Sequence, residues 1–179
     1  GVAASLVAGL AAAAPRVMAM ATPESRTSSS ALLGDRRLTD ELVQKASELV
    51  GASELTFEAP VVTQYTEGQR FLAHNDASLQ PELDWADTGG QRLVTMIHYL
   101  NDGPQGGRTV FNNLKGEDGL PLAVVPKAGR VLVFLPATAD GKVDERTMHQ
   151  AEEAVDVKFV CQMWKRQRTV PPPLGVTPL

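Results

Sequence analysis

One tripeptide of this chain carries two groups that could hold a metal ion. His74-Asn75-Asp76 sets an imidazole and a carboxylate two positions apart, and on an extended backbone residues i and i+2 share a face. Two side chains hold an ion poorly, so a third ligand is needed from elsewhere. The chain has three histidines, His74, His98 and His149. His98 sits within the apolar run 93–100 and reads as a strand residue. His149 follows a polar, Gly-containing loop, precedes another strand-like run and is the better third ligand. Two histidines and one carboxylate on one side of an ion, with open positions opposite, is the arrangement of non-haem Fe(II) oxygenases. Taken alone, the tripeptide has a plainer reading: a polar turn after a strand, with Asn75 and Asp76 as turn formers.

The elements that must position these groups are short. From residue 55 onward the pattern reads as strands at 60–65, 69–74, 92–100, 108–112, 122–126, 130–135 and 155–164, divided by Gly- and Pro-containing turns. Residues 35–50 read as a helix with Leu38, Leu42, Val43, Ala46, Leu49 and Val50 on one side. Thr39 can cap its start and Gly51 can end it. Residues 22–30 and 80–91 read as loops and 137–146 as a polar loop. Pro171-Pro172-Pro173 and the residues after it read as an unstructured tail. One helix followed by many short strands predicts a mainly β fold with flanking helices, a double-stranded β-helix or jelly roll. A doubly wound fold would need helices between the strands, and there is no room for them. The chain divides into an apolar segment 1–21, a loop and packing helix 22–57, the jelly-roll domain 58–168 and a proline-rich tail 169–179.

In the last strand Val155, Val157, Phe159, Cys161 and Met163 form one face, and Asp156, Lys158, Val160, Gln162 and Trp164 the other. Lys158 is mid-strand between apolar neighbours. Such a lysine either faces solvent or pairs with an anion inside the fold. Cys161 reads as a small buried hydrophobe.

Composition excludes some functions. A chain of 179 residues, 43% hydrophobic and 21% charged, is long enough for one packed core. The net charge is −4, and the only basic cluster, 165–168, is short and reads as a solvated strand end, so no nucleic-acid partner is expected. One cysteine excludes an intrachain disulfide. Residues 1–14 are apolar and Ala-rich but too short to span a bilayer. They read either as the remnant of a targeting or membrane-anchor segment or as a core helix, since the chain begins with Gly.

In order along the chain, Tyr65-x-x-Gly68-Gln69-x-Phe71-x-x-His74-x-Asp76, Arg92-x-x-Thr95-x-x-x-Tyr99-Leu100-Asn101, Gly106-Gly107-x-Thr109-x-Phe111, Pro126-x-x-Gly129, His149, Lys158 and Trp164 resemble the prolyl 4-hydroxylase family of Fe(II)- and 2-oxoglutarate-dependent dioxygenases. The likeness runs from about 26 to 164. It implies the 2-oxoglutarate dioxygenase form of the jelly roll, with Fe(II) on His74, Asp76 and His149. It implies that Lys158 pairs with the distal carboxylate of 2-oxoglutarate, in a pocket lined by Tyr65, Tyr99 and Thr109. It assigns Arg26 and Ser28, on a mobile loop, and Glu58, Arg92 and Trp164 to a groove for a proline-containing peptide or protein. O2 and ascorbate complete the implied cofactors. The implied reaction hydroxylates proline at carbon 4 while 2-oxoglutarate is converted to succinate and CO2. The endoplasmic reticulum and secretory pathway are the implied compartment, with a soluble cytoplasmic protein as the alternative. Phe71, where many members have Tyr, and Asp156, where Gly is frequent, depart from the family pattern. Two rival readings remain: a dioxygenase of a small molecule or another side chain, and a non-catalytic jelly-roll binding module, for which the ligand set and Lys158 would have no use.

Overall fold

Strand alternation decides which side chains face which layer. The computed structural model describes residues 25–103 and 105–176; the apolar segment 1–21, with its reading as an anchor remnant or core helix, lies outside them. The strands are β1 (Ser29–Leu32), β2 (Val61–Tyr65), β3 (Phe71–His74), β4 (Arg92–Tyr99), β5 (Thr109–Lys115), β6 (Pro121–Val124), β7 (Val131–Phe134), β8 (His149–Ala151) and β9 (Lys158–Arg166). Helix α1 (Arg36–Val50) and a single turn, α2 (Pro81–Asp84), accompany them. A five-stranded sheet runs β1-β2-β9-β4-β7 and a four-stranded sheet β3-β8-β5-β6. Every pairing is antiparallel. The two sheets form the jelly roll that the strand pattern predicts.

Helix α1 starts at Asp35, whose carboxylate accepts the Leu38 N–H at 2.9 Å. Asp35 is therefore the cap, not Thr39, which turns its hydroxyl to the Leu33 carbonyl. Gly51 ends the helix at φ 63°, a conformation that strains any residue with a Cβ. Leu42, Val43 and Ala46 press onto the outer face of the larger sheet, against Val62, Val94, Met96, Cys161 and Met163. Leu49, one turn further along, is exposed. The opposite faces of β4 and β9 send Ile97, Tyr99 and Val160 inward, where they meet Tyr65, Phe111 and Phe134 between the sheets. Cys161 is fully buried under the helix, and burial pushes its thiol up to about 12.

Several boundaries differ from the sequence reading. The last strand begins at Lys158, because Val155 and Val157 are exposed and do not continue its apolar face. It runs on to Arg166, which is buried rather than solvated. The Ser/Thr-rich stretch read as a loop ends inside β1, which takes Ser29 and Ser30. It also crosses from one sheet to the other, since Leu72 N–H donates to Ser25 O and Thr27 N–H to Arg70 O, while Ser29–Leu32 pair with β2. The tail is not unstructured as far as residue 176. Val170 N–H donates to Leu55 O, Ala59 N–H donates to Leu174 O, and Val170 is buried. Backbone pairing with a neighbouring strand end overrides the extended bias of the prolines. Among the described residues no helix is long and apolar enough to cross a membrane.

His98 is half-buried on the helix side of β4, and its Nε2 is buried without a partner. Burial pulls its pKa from 6.5 down to about 4. Between those values the unfolded chain binds a proton that the native imidazole refuses. Its contribution to stability is therefore complete above the unfolded value and is lost as pH falls towards the folded one. At about 1.4 kcal/mol per pKa unit the loss has a ceiling of about 3 kcal/mol. We expect His98→Leu, compared with the unsubstituted chain by urea unfolding at neutral pH and near the folded pKa, to lose distinctly less stability on acidification. Equal losses would show that His98 titrates normally.

Candidate metal centre

The site is assembled by one cross-strand pair. His74 ends β3 and His149 begins β8, and the two are directly opposite in the antiparallel register. Their rings lie 4.4 Å apart between centroids. Asp76, two residues beyond His74, brings Oδ1 to 3.7 Å from His74 Nε2. One ligand atom from each of the three residues falls within 4.8 Å of the others. That is the spacing at which a single ion reaches all three.

Both imidazoles are oriented the same way. His74 Nδ1 lies 2.8 Å from Leu72 O and His149 Nδ1 3.0 Å from Thr147 O. A carbonyl can only accept, so each Nδ1 carries the proton and each Nε2 is left as a lone pair. His74 Nε2 is buried with no hydrogen-bond partner, an expensive arrangement unless an electrophile takes the lone pair. Two imidazole nitrogens and one carboxylate oxygen form a donor set that suits ferrous iron. Burial and the neighbouring His149 pull the His74 pKa to about 4, so the ring is neutral and able to ligate at neutral pH. Burial alone would raise Asp76. His149, Arg92, His74 and the Thr95 hydroxyl outweigh it, and the net shift is down. Phe71 stacks on His74 at 3.7 Å, and Phe134 abuts His149 at 4.8 Å.

The same cavity continues to Lys158. Tyr65, Phe71, His74, Thr109, His149 and Lys158 are among the residues lining it. Lys158 is 3% exposed and donates to Gly107 O at 2.7 Å, with its ammonium 4.4 Å from the Tyr65 ring. No carboxylate of the described residues forms an ion pair with it, and burial pulls its pKa to about 8. A buried ammonium without a counter-ion is costly, so the position fits an incoming carboxylate. Tyr99 donates to Thr109 Oγ1 at 2.7 Å, which places its hydroxyl beside this end of the cavity. Burial pushes Tyr99 up to about 12. Gly106 and Gly107 let their backbone pack closely here: at Gly107 a Cβ would stand 3.3 Å from Lys158 Cδ. At Gly106 (φ +66°) a Cβ would stand 2.6 Å from Glu153 O.

The remaining expected residues sit in settings the sequence did not reveal, and Ser28, Glu58 and Trp164 are buried. Arg26 is not on a free loop. It pairs with Phe71 as a β-bridge, lies 5.0 Å over that ring, and donates to Ser28 at 3.0 Å, Thr63 at 2.9 Å and Ser30. Ser28 is fully buried. Glu58 is not open to a groove: at 2% exposure it receives Arg92 at 2.7 and 2.9 Å and Arg166 at 2.7 Å. Arg92 lies 4.0 Å over the Trp164 ring. Sequence reasoning left Thr95 and Arg166 without roles. Continuing the alternation of β9 two positions past Trp164 would have put Arg166 on the site face.

This geometry agrees with what the chain is similar to. Residues 60–166 match the model of the 2OG-Fe(II) oxygenase superfamily. The chain is 32% identical over 128 residues to probable prolyl 4-hydroxylase 11 of Arabidopsis thaliana, covering 70% of this chain and 43% of that one. It is 27% identical over 157 residues to prolyl 4-hydroxylase subunit alpha-2 of Gallus gallus, covering 86% and 28% respectively. The chain thus spans less than half the length of these curated relatives. Among solved structures, the viral collagen prolyl hydroxylase of Paramecium bursaria Chlorella virus-1 superposes with a TM-score of 0.69 at 24% identity, covering 91% of this chain and 88% of that one, which supports the fold.

Replacing a ligand should cost more metal affinity than the roughly 10–100-fold typical of residues that only support ligands. Calorimetric titration with Mn(II), as an air-stable substitute for Fe(II), should show losses beyond about 100-fold for His74→Ala, Asp76→Ala and His149→Ala. His98→Ala should bind as the unsubstituted chain does. The reverse pattern for His98 and His149 would reassign the third ligand.

Proposed function

The chain belongs to the 2OG-Fe(II) oxygenase superfamily, and from that premise we propose that it is a 2-oxoglutarate-dependent dioxygenase that hydroxylates proline in extended, proline-containing peptides. The observation that carries the reading is one cavity with three converging metal-ligand atoms at one end and a buried, anion-free ammonium at the other. A dicarboxylate with a 2-oxo group has the two ends this cavity calls for, an oxo acid that would meet the ion held by His74, Asp76 and His149 and a carboxylate that would meet Lys158. The names of the plant and chicken relatives support proline as the target.

In this reading His74, Asp76 and His149 hold iron through Nε2, a carboxylate oxygen and Nε2. Bound iron supplies the oxidising chemistry, in which O2 and 2-oxoglutarate give succinate and CO2 while the second oxygen atom enters a substrate C–H bond. The protein's own groups hold, orient and exclude water. Lys158 fixes the distal carboxylate of 2-oxoglutarate, with the Tyr99–Thr109 hydroxyl pair beside it. Phe71, Phe111, Phe134, Ile97 and Val160 surround the ligands with apolar surface, which strengthens each charge interaction inside. A peptide already near the polyproline II shape loses less conformational entropy on docking. Arg26 and Arg92, both partly exposed, are the expected groove residues that a docking peptide would meet. Ascorbate would return iron oxidised in uncoupled turnovers to the ferrous state.

A charge-assisted bond to a carboxylate contributes about 1.5–3 kcal/mol, or roughly one to two decades of affinity. Lys158→Ala should raise the 2-oxoglutarate requirement by about that factor while metal affinity stays constant. Lys158→Arg should recover only part, because a planar fork does not fit where a point charge did. In the unsubstituted chain, 2-oxoglutarate affinity should fall as pH rises through about 8, where the free ammonium loses its proton. An unchanged requirement in Lys158→Ala would remove the pocket assignment.

The substrate is tested by mass spectrometry on poly-proline and on Ser-Pro and Ala-Pro repeats with Fe(II), 2-oxoglutarate and ascorbate. The expected result is the gain of one oxygen per modified proline, with stoichiometric succinate. Succinate formed on another substrate, with no proline peptide modified, would leave the small-molecule reading in its place.

A further inference from the structure

The metal carboxylate is held from behind. Asp76 is 5% exposed, and its Oδ2 receives two hydrogen bonds. Thr95 Oγ1 donates at 2.8 Å and Trp164 Nε1 at 3.1 Å. A carboxylate oxygen has two lone-pair sites, so these donors occupy Oδ2 and leave Oδ1 as the oxygen turned toward His74 Nε2. Thr95 is fully buried in β4, and Trp164 is 7% exposed in β9. The two are directly paired across those strands, so neighbouring positions of one sheet deliver both donors.

Trp164 is itself braced. Arg92 lies over its ring at 4.0 Å, and that guanidinium is gripped on two nitrogens by Glu58. Glu58 also binds Arg166, which lies 4.4 Å over the Trp85 ring and donates to Gly90 O at 2.7 Å. One buried carboxylate thus fixes two guanidiniums, and one of these fixes the indole that points at the metal ligand. Planar, bidentate pairing is the geometry in which arginine is least free to move.

We propose that Trp164 and Thr95 are positioning residues that commit Asp76 to ligate through Oδ1 alone, and that the Arg92–Glu58 pair holds Trp164 in that role. Trp164 therefore acts on the metal side of the site. The inference rests on the metal reading of His74, Asp76 and His149 and is independent of the peptide. Because Arg92 remains partly exposed, with 20% of its side-chain surface open, a substrate carbonyl or carboxylate drawn to it would press on the same stack.

The test uses the full chain and Mn(II) alone, without 2-oxoglutarate or peptide. Trp164→Phe keeps an aromatic ring under Arg92 and deletes the N–H together with part of the indole, so the Thr95 variants serve as its control. Thr95→Val deletes the hydroxyl at constant shape, and Thr95→Ser restores it. Trp164→Phe and Thr95→Val should each weaken Mn(II) binding by about tenfold, at the lower end of effects seen for groups that support metal ligands. Thr95→Ser should lie close to the unsubstituted chain. The electron paramagnetic resonance spectrum of bound Mn(II) should change in the first two variants and not in the third, a signature that a loss of stability alone would not produce. If Trp164→Phe fails to fold, the Thr95 pair decides the matter. Unchanged affinity and spectrum in both donor-deleting variants would overturn the inference and leave the metal site standing. A failure of the unsubstituted chain to bind Mn(II) or Fe(II) would instead bring down the metal reading, and this inference with it.

Discussion

The pairing of His74 with His149 across β3 and β8 is the contact on which the site depends. It joins residues 75 positions apart in the chain and needs no loop to be positioned correctly, because an antiparallel register leaves little freedom in how two opposite side chains meet. Both rings then use the same local device, an Nδ1–H bonded to the carbonyl two residues earlier. Asp76 comes two residues after one of the paired histidines. Most of the geometry for an ion is therefore set once β3 and β8 are in register.

Around this pair the fold sorts buried charge into two kinds. Glu58 takes both Arg92 and Arg166 into one ion-paired cluster, with indole rings stacked on the cations. Breaking such a cluster by removing one member strands the others, which makes it a source of geometric definition more than of net stability. Lys158 and His74 are different. Each presents a buried polar atom that the described residues leave short of a partner of matching charge or polarity. Those are the two ends of one cavity, and an ion and a dianion from outside would complete both. The contrast between the satisfied cluster and the unsatisfied ends separates scaffold from site more clearly than burial does.

The two layers of packing divide along the same lines. Helix α1 and the outer faces of β4 and β9 form an apolar layer with aliphatic and sulfur side chains. The inner faces of those strands carry Thr95, Tyr99, Lys158, Gln162 and Trp164 towards the space between the sheets. Period-two alternation lets one strand serve both layers, so the residues that stabilise the fold and those that line the site share a backbone. A single-residue slip in β9 would exchange the two sets.

The features that the sequence alone determined obey local rules. The helix read over 35–50, the run of short strands, the His-x-Asp pair and the two faces of the last strand from Lys158 onward are all set by periods of 3.6 and 2 within a few residues. The order of several motifs identified the family likeness and with it the third ligand. Other features were decided by contacts between distant segments, which no local pattern encodes. Ser29 and Ser30 read as the end of a loop by composition yet open a strand, because β2 presents an open edge for it to pair with. Glu58 reads as a groove residue and Arg166 as part of a solvated strand end, yet the two, 108 positions apart in sequence, stand 2.7 Å apart in space. Trp164 reads as a flat surface for a peptide, and only the packing of β4 against β9 turns its N–H onto Asp76. Local sequence specifies which face of an element a side chain occupies; what stands opposite that face is a property of the tertiary structure, because the partner comes from another part of the chain.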